Sequence, residues 1–287
     1  MPSPSSLISR TLNNPVEVKG IGLHTGVPVS VRLMPSEHLG LVFVRTDLND
    51  RIQIPASLRF VTTTKHATTL AQGEISLATI EHLLAALWAQ GISNCRIEVD
   101  GPEIPILDGS AAGWCEALQR AGVRNLEGVR PLYGLREPVF IEESGGAVLG
   151  LPHLSLRVSV AVEYQRSYLT PQAWDGEIDS SSFSQIASAR TFTLEEWIEP
   201  LRSAGLIKGG DEQNAIVLFN DHMSVPLRYP NELARHKALD VVGDIALLFG
   251  EEGGMLSAHI IAVRAGHGSH RRWMDEVLRQ NALVRLN

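Results

Sequence analysis

The sequence predicts an α+β fold built as two similar halves. Apolar residues alternate or cluster in short runs over residues 16–60 and recur in such runs between 139 and 219. Helical spacing takes over at 80–91 and again at 231–249, and each half then closes with a further strand and a second helix. The halves share the order strands, helix, strand, helix without matching residue for residue. Two such layers packed together would leave a cleft between their helices.

Along the chain, Val29-Ser30-Val31-Arg32-Leu33 and Leu41-Val42-Phe43-Val44, set between Gly, Pro and Asn, read as strands and turns. Ile80, Leu83, Leu84 and Leu87 then recur at helical spacing up to Gly91, a suitable stop. A strand over 95–99, a Gly/Pro-rich loop over 100–109 and a helix over 110–120 complete the first half. The boundary is expected within 122–138, where Gly, Pro and Arg punctuate the pattern. In the second half, strand-like runs at 139–141, 156–162 and 215–219 precede a strongly apolar helix over 231–249. A strand at 258–263 and a final helix from about 269 follow.

Composition narrows the function. The 287 residues are 44% hydrophobic and 20% charged, enough for one large core or two smaller ones. A net charge of −7 with no basic cluster argues against a nucleic-acid partner. The two cysteines, Cys95 and Cys115, lie in apolar contexts outside any CxxC pair and read as small core residues in a reducing compartment. Residues 1–10 lack a signal-peptide pattern, and no segment approaches the roughly 20 apolar residues of a bilayer span. The expectation is a cytoplasmic monomer that would reach a lipid-like substrate through a groove or by peripheral membrane contact.

The residues that carry chemistry fall in three segments. In Arg235-His236-Lys237-Ala238-Leu239-Asp240, helical geometry stacks His236 and Asp240 one turn apart, so both can reach one cation, and Asp244 extends that face. A solvated polar stripe is the alternative, and a His-x-x-x-Asp pair is common by chance. However, Leu239, Val241, Val242, Ile245, Leu247 and Leu248 leave little of this helix for solvent, and unpartnered buried carboxylates are costly. In the second segment Glu81 and His82 are adjacent on a helix. If His82 binds a metal, Glu81 can address a water beside it, although an exposed pair or a core-edge histidine would also fit and the HExxH pattern is missing. Three protein ligands would leave a fourth position for water, whose pKa a metal lowers to about 7. In the third, Gly266-His267-Gly268 ends a predicted strand, which suits either a mobile, exposed general acid or a simple turn. His24, His38, His66, His153, His222, His259 and His270 gain no comparable support from local pattern.

An ordered set of motifs over nearly the whole chain resembles the UDP-3-O-acyl-N-acetylglucosamine deacetylase family. They are Gly20-Ile21-Gly22-Leu23-His24-Thr25-Gly26, Thr79-Ile80-Glu81-His82-Leu83, Gly101-Pro102-Glu103-Ile104-Pro105-Ile106-Leu107-Asp108-Gly109-Ser110, Ala189-Arg190-Thr191-Phe192, Gly209-Gly210 with Asn214-Ala215-Ile216-Val217, Arg235 through Asp240, and Gly266-His267. The resemblance implies a sandwich of two duplicated β-α-α-β domains, 1–126 and 127–287, with the active site between them. It also implies zinc held by His82, His236 and Asp240, with Glu81 as general base. His267 would be general acid or charge stabiliser, oriented by Asp244, and Thr191 would polarise the amide carbonyl. Phe192, Lys237, Gly209 and Gly210 would hold the substrate. An insert at about 193–221, with Leu194, Trp197, Ile198, Leu201, Leu206 and Ile207, would take the acyl chain. Two departures stand out: Trp197 replaces a commonly acidic position, and Gly268-Ser269-His270-Arg271-Arg272 replaces a more usual Asn-bearing continuation.

The implied activity is hydrolysis of the N-acetyl group of UDP-3-O-((R)-3-hydroxyacyl)-N-acetylglucosamine, releasing acetate, in lipid A biosynthesis. The same ligands accept iron(II). The alternatives are a zinc amidase on another acylated amino sugar and a non-catalytic nucleotide-sugar binding protein. Glu81 and His267 argue against the latter, since a structural zinc is normally closed by four protein ligands and needs no base.

Overall fold

The computed structural model describes residues 7–143 and 145–287, and its architecture is mixed α/β, with several sheets and few helices. One five-stranded sheet runs, in spatial order, Val16–Ile21, Pro28–Pro35, Asn94–Val99, Gly40–Arg45, Gln53–Pro55. Asn94–Val99 pairs antiparallel with Pro28–Pro35 and parallel with Gly40–Arg45. In the second half Val139–Glu143, Gly146–Pro152, Met255–Val263, Leu156–Val162 and Gln172–Glu177 follow the same path. There Met255–Val263 is antiparallel to Gly146–Pro152 and parallel to Leu156–Val162. In both sheets a strand that arrives after a helix is inserted beside the first hairpin. Period-two patterning supports the pairing: Val29, Val31 and Leu33 are buried on one strand, as are Val158, Val160 and Val162 on another.

Among the described residues six α-helices accompany the sheets: α1 (Glu81–Ala89), α2 (Ala112–Ala121), α3 (Ser184–Ala187), α4 (Glu195–Ser203), α5 (Glu232–Ile245) and α6 (His267–Arg279). All nine residues of α1 are buried, which is why its sequence is apolar on every side after Glu81 and His82. It stops as expected: Gly91 takes φ +70, and Ile92 N donates to Leu87 O at 3.0 Å, closing the helix with a left-handed glycine. α2 packs on α1 and the first sheet, while α5 lies on Leu156–Val162 and Gln172–Glu177 and α6 on Val139–Glu143 and Gly146–Pro152. The two halves meet where α1 packs on α5. That approach depends on Gly243, since a Cβ there would fall 2.1 Å from the Glu81 carbonyl oxygen.

Several expectations need correction. The segment at 122–138 is not bare punctuation: Val123–Val129 pairs antiparallel with Ile8–Leu12, and Leu132–Leu135 joins the second sheet. Because Leu132–Leu135 pairs parallel with its start, the strand expected at 258–263 begins already at Met255. The helix expected over 231–249 ends at Ile245 and tightens into a 3₁₀ turn, Ala246–Leu248. The last helix starts at His267, so this histidine is the first residue of a helix and not part of a loose turn. Both cysteines are free, Cys95 buried and Cys115 half-buried.

Candidate active site

The Glu81-His82 pair stands in the first turn of α1, reached through a strained backbone. Thr79, a β-branched residue, has φ +59, and its hydroxyl donates to Glu103 Oε1 at 2.9 Å. The buried Glu103 carboxylate also accepts the backbone N–H groups of His24 (2.9 Å) and Thr25 (2.8 Å) and the Thr25 hydroxyl (2.7 Å). One carboxylate therefore ties the glycine-rich segment at 20–26 and the loop at 101–109 to the start of α1, which gives two of the sequence motifs a structural task.

Opposite, α5 presents His236, Asp240 and Asp244 on successive turns, all buried. His82 Nε2 lies 3.7 Å and His236 Nε2 3.4 Å from Asp240 Oδ1, and the three donor atoms sit within 4.8 Å of one another. His236 Nδ1 donates to the Ala189 carbonyl at 3.0 Å, which fixes the tautomer and leaves Nε2 as a lone-pair donor toward Asp240. Burial, reinforced by His236, pushes the His82 imidazole down to about 3, and burial also lowers His236, so both rings are held in the neutral form that ligates metals. Burial opposes ionisation of Asp240, but His236, the Lys237 ammonium and the neighbouring histidines outweigh it and hold the carboxyl below the usual range. Lys237 Nζ donates to Asp240 Oδ2 at 2.8 Å, leaving Oδ1 for the cluster. Two neutral imidazoles and an ionised carboxylate, already converging, fit a divalent ion with an open position.

Glu81 and His267 flank this donor set. Burial, with Asp244 and Asp240 nearby, pushes the Glu81 carboxyl up to about 7 against the pull of His267. Its Oε2 accepts from Thr68 N at 3.2 Å, and its Oε1 faces His267 Nε2 at 3.9 Å. His267 Nε2 also lies 3.9 Å from Asp240 Oδ2, while His267 Nδ1 donates to Asp244 Oδ2 at 2.7 Å. Burial alone would lower this imidazole, but Asp244 and Asp240 outweigh it and raise it to about 10. The side chain is only 11% exposed, so the mobile, exposed histidine expected from its glycine neighbours is instead a fixed one.

The remaining expected residues divide. Phe192 meets His236 edge-on with ring centroids 6.0 Å apart, and Lys237 Nζ stands 5.3 Å above the Phe192 ring. Thr191 adjoins them on a backbone pinned by Thr191 N donating to Gly109 O (2.7 Å) and Ile216 N donating to Thr191 O (2.9 Å). Gly209 and Gly210 are not brought into the metal-ligand cluster. Gly209 N donates to Leu23 O at 3.0 Å, and a Cβ on Gly209 would lie 2.3 Å from Gly22 O, so they back the 20–26 segment. Phe192–Leu194 and Ile216–Leu218 form a parallel pair bracketing α4, whose Trp197 is exposed.

Pattern reading missed three participants. Thr68 bridges Glu81 and Asp244, donating its hydroxyl to Asp244 Oδ1 at 2.6 Å, and nothing local in the sequence marks it. Tyr164 packs edge-on against Phe192 at 5.2 Å. His270 donates Nδ1–H to Asp244 Oδ2 at 2.7 Å, and its three-residue spacing from His267 would have revealed it had α6 been started two residues earlier.

The family model for UDP-3-O-acyl N-acetylglycosamine deacetylase matches residues 9–279. Similar curated proteins include a UDP-3-O-acyl-N-acetylglucosamine deacetylase of Myxococcus xanthus, 37% identical over 96% of this chain and 88% of its own length. One of Thermosynechococcus vestitus is 39% identical over 96% of this chain and 97% of its own. A probable mitochondrial UDP-3-O-acyl-N-acetylglucosamine deacetylase of Arabidopsis thaliana is 38% identical over 93% and 87%.

Proposed function

The chain belongs to the UDP-3-O-acyl-N-acetylglucosamine deacetylase family, and from that premise we propose how its own residues carry out the deacetylation. It is an amide hydrolase of lipid A biosynthesis, converting the N-acetyl group and water into acetate and a free amine. The observation that carries the residue-level reading is the convergence of Glu81, His82, His236, Asp240 and His267, from three helices, in one buried cluster.

His82, His236 and Asp240 would hold the metal, for which zinc suits two imidazoles and a carboxylate and iron(II) remains compatible. When bound, the ion supplies Lewis acidity and lowers the pKa of water. Glu81, pinned by Thr68, accepts a proton from the attacking water as its oxygen bonds to the acetyl carbon. The Thr191 hydroxyl donates to the carbonyl oxygen as negative charge gathers there. The His267 imidazolium, held by Asp244, stabilises that charge and delivers a proton to the nitrogen as the C–N bond breaks. Phe192 would pack on the sugar, and Lys237, besides holding Asp240, contributes positive charge for the substrate.

The repeated strand order supports reading the chain as duplicated domains, 1–126 and 127–287, with the site between α1 and α5. The insert at about 193–221 would form the acyl passage, taking a (R)-3-hydroxyacyl chain against the apolar side chains of and after α4. Among the described residues no helix is long and apolar enough to cross a membrane. The test is mass spectrometry of the purified, metal-loaded protein incubated with the acylated UDP-sugar. Loss of one acetyl group is expected, and an unchanged substrate would overturn the reading.

A further inference from the structure

Asp244 is a crowded carboxylate. Its Oδ1 accepts the Thr68 hydroxyl at 2.6 Å, and its Oδ2 accepts two imidazole N–H groups, from His267 Nδ1 and His270 Nδ1, each at 2.7 Å. The two rings stand edge to face, with centroids 6.1 Å apart. His270 is buried, and among the described residues its Nε2 has no hydrogen-bond partner and its ring bonds only to Asp244. Since a carboxylate oxygen accepts, the His270 proton must lie on Nδ1. A buried imidazole nitrogen without a partner is costly, and an apolar residue of similar size would avoid that cost. The hydrogen bond to Asp244 is what the histidine adds over such a residue.

We propose that His270 is a positioning residue for the deacetylation: with Thr68 it locks the Asp244 carboxylate so that one lone pair of Oδ2 is aimed at His267 Nδ1. This rests on the reading of Asp244 and His267 given above. Thr68 pins one oxygen and His270 the other, so the carboxylate cannot rotate about its Cβ–Cγ bond without breaking a buried hydrogen bond. His267 occupies the first position of α6, where its rotamer is the least constrained by the helix. A fixed acceptor holds Nε2 toward Glu81 and Asp240, 3.9 Å from each. An asparagine amide can present N–H in the place of the imidazole Nδ1, and histidine does the same with a larger, buried ring.

The test compares His270→Asn, which keeps a donor at the Nδ1 position, with His270→Gln, which moves the donor to the Nε2 position, out of reach of Asp244. On the metal-loaded enzyme His270→Asn should retain most of the parent kcat. His270→Gln should lose about 10- to 100-fold in kcat with KM and metal content unchanged. In an Asp244→Asn background, His270→Gln should cost nothing further. Proton NMR of the parent should show two deshielded Nδ1–H signals, both lost in Asp244→Asn, a readout that does not depend on the His270 variants folding. Parent-like kcat in His270→Gln, equal defects in Gln and Asn, full additivity with Asp244→Asn, or absence of the His270 signal would each overturn the inference. If Asp244→Asn and His267→Ala turn over normally, the reading of the pair falls and takes this inference with it. If those two are slow and His270→Gln is not, only the role of His270 falls.

Discussion

Replacing Gly243 with alanine should separate activity from stability. The added Cβ would lie 2.1 Å from the Glu81 carbonyl oxygen, 2.7 Å from its carbonyl carbon and 2.9 Å from its Cα, all backbone atoms of the helix that carries the base and a metal ligand. Comfortable non-bonded contacts lie near 3.5 Å, so α1 and α5 must move apart by about 1.4 Å to relieve the closest of them. Overpacking of this kind costs about 1–3 kcal/mol, and the gain of alanine over glycine in a helix returns about 1 kcal/mol. The net stability loss is therefore about 0–2 kcal/mol. A 1 Å displacement between catalytic groups, by contrast, costs about 100-fold in rate. Urea denaturation and a mass-spectrometric deacetylation assay on the same preparation read both quantities. Parent kcat in Gly243→Ala would refute the claim that the spacing of α1 and α5 sets the geometry of the site.

Activity should be bell-shaped in pH. Glu81 must be ionised to act as base, so activity falls as the pH drops through its pKa, and His267 must be protonated, so activity falls as the pH rises through its own. A bound cation favours carboxylate and disfavours imidazolium, placing the acid limb below about 7 and the alkaline limb below about 10. Asp244→Asn removes the strongest group raising His267 and should shift the alkaline limb to lower pH with metal retained; an unmoved limb would count against the assignment. Glu232→Leu should destabilise by about 3–5 kcal/mol in urea, because it strands buried Arg190, whose backbone N, Nε and Nη2 all donate to that carboxylate, while a loss under 1 kcal/mol would contradict it. A chelator should abolish turnover while far-UV circular dichroism stays near the parent's, since the three ligands are a small part of one large buried apolar core, and added zinc should restore activity. Full turnover in rigorously metal-free protein would be incompatible with the mechanism.

Local periodicity made α1, α5 and their polar residues legible. Burial of α1 on every side explains its apolar run from Leu83 to Ala89, and His236, Asp240 and Asp244 stand out on α5 because polar residues at four-residue spacing interrupt an apolar helix. Elements stabilised by distant partners were less visible. Val123–Val129 exposes most of its residues and lacks an apolar run, and it is a strand because Ile8–Leu12 pairs with it. The flanking glycines made His267 read as a mobile, exposed residue or a simple turn, whereas the interaction with Asp244 fixes it at the start of α6. Thr68 and Glu103 act by joining segments far apart in the chain, and no spacing rule reports such contacts.

The central claim is that His82, His236 and Asp240 hold the metal while Glu81 handles the proton. Elemental analysis combined with kcat for Glu81→Ala and His236→Ala tests it most directly. The account predicts that Glu81→Ala keeps its metal and loses about 10²- to 10⁴-fold in kcat, whereas His236→Ala loses the metal itself. Metal lost from Glu81→Ala and retained at full occupancy in His236→Ala would contradict it.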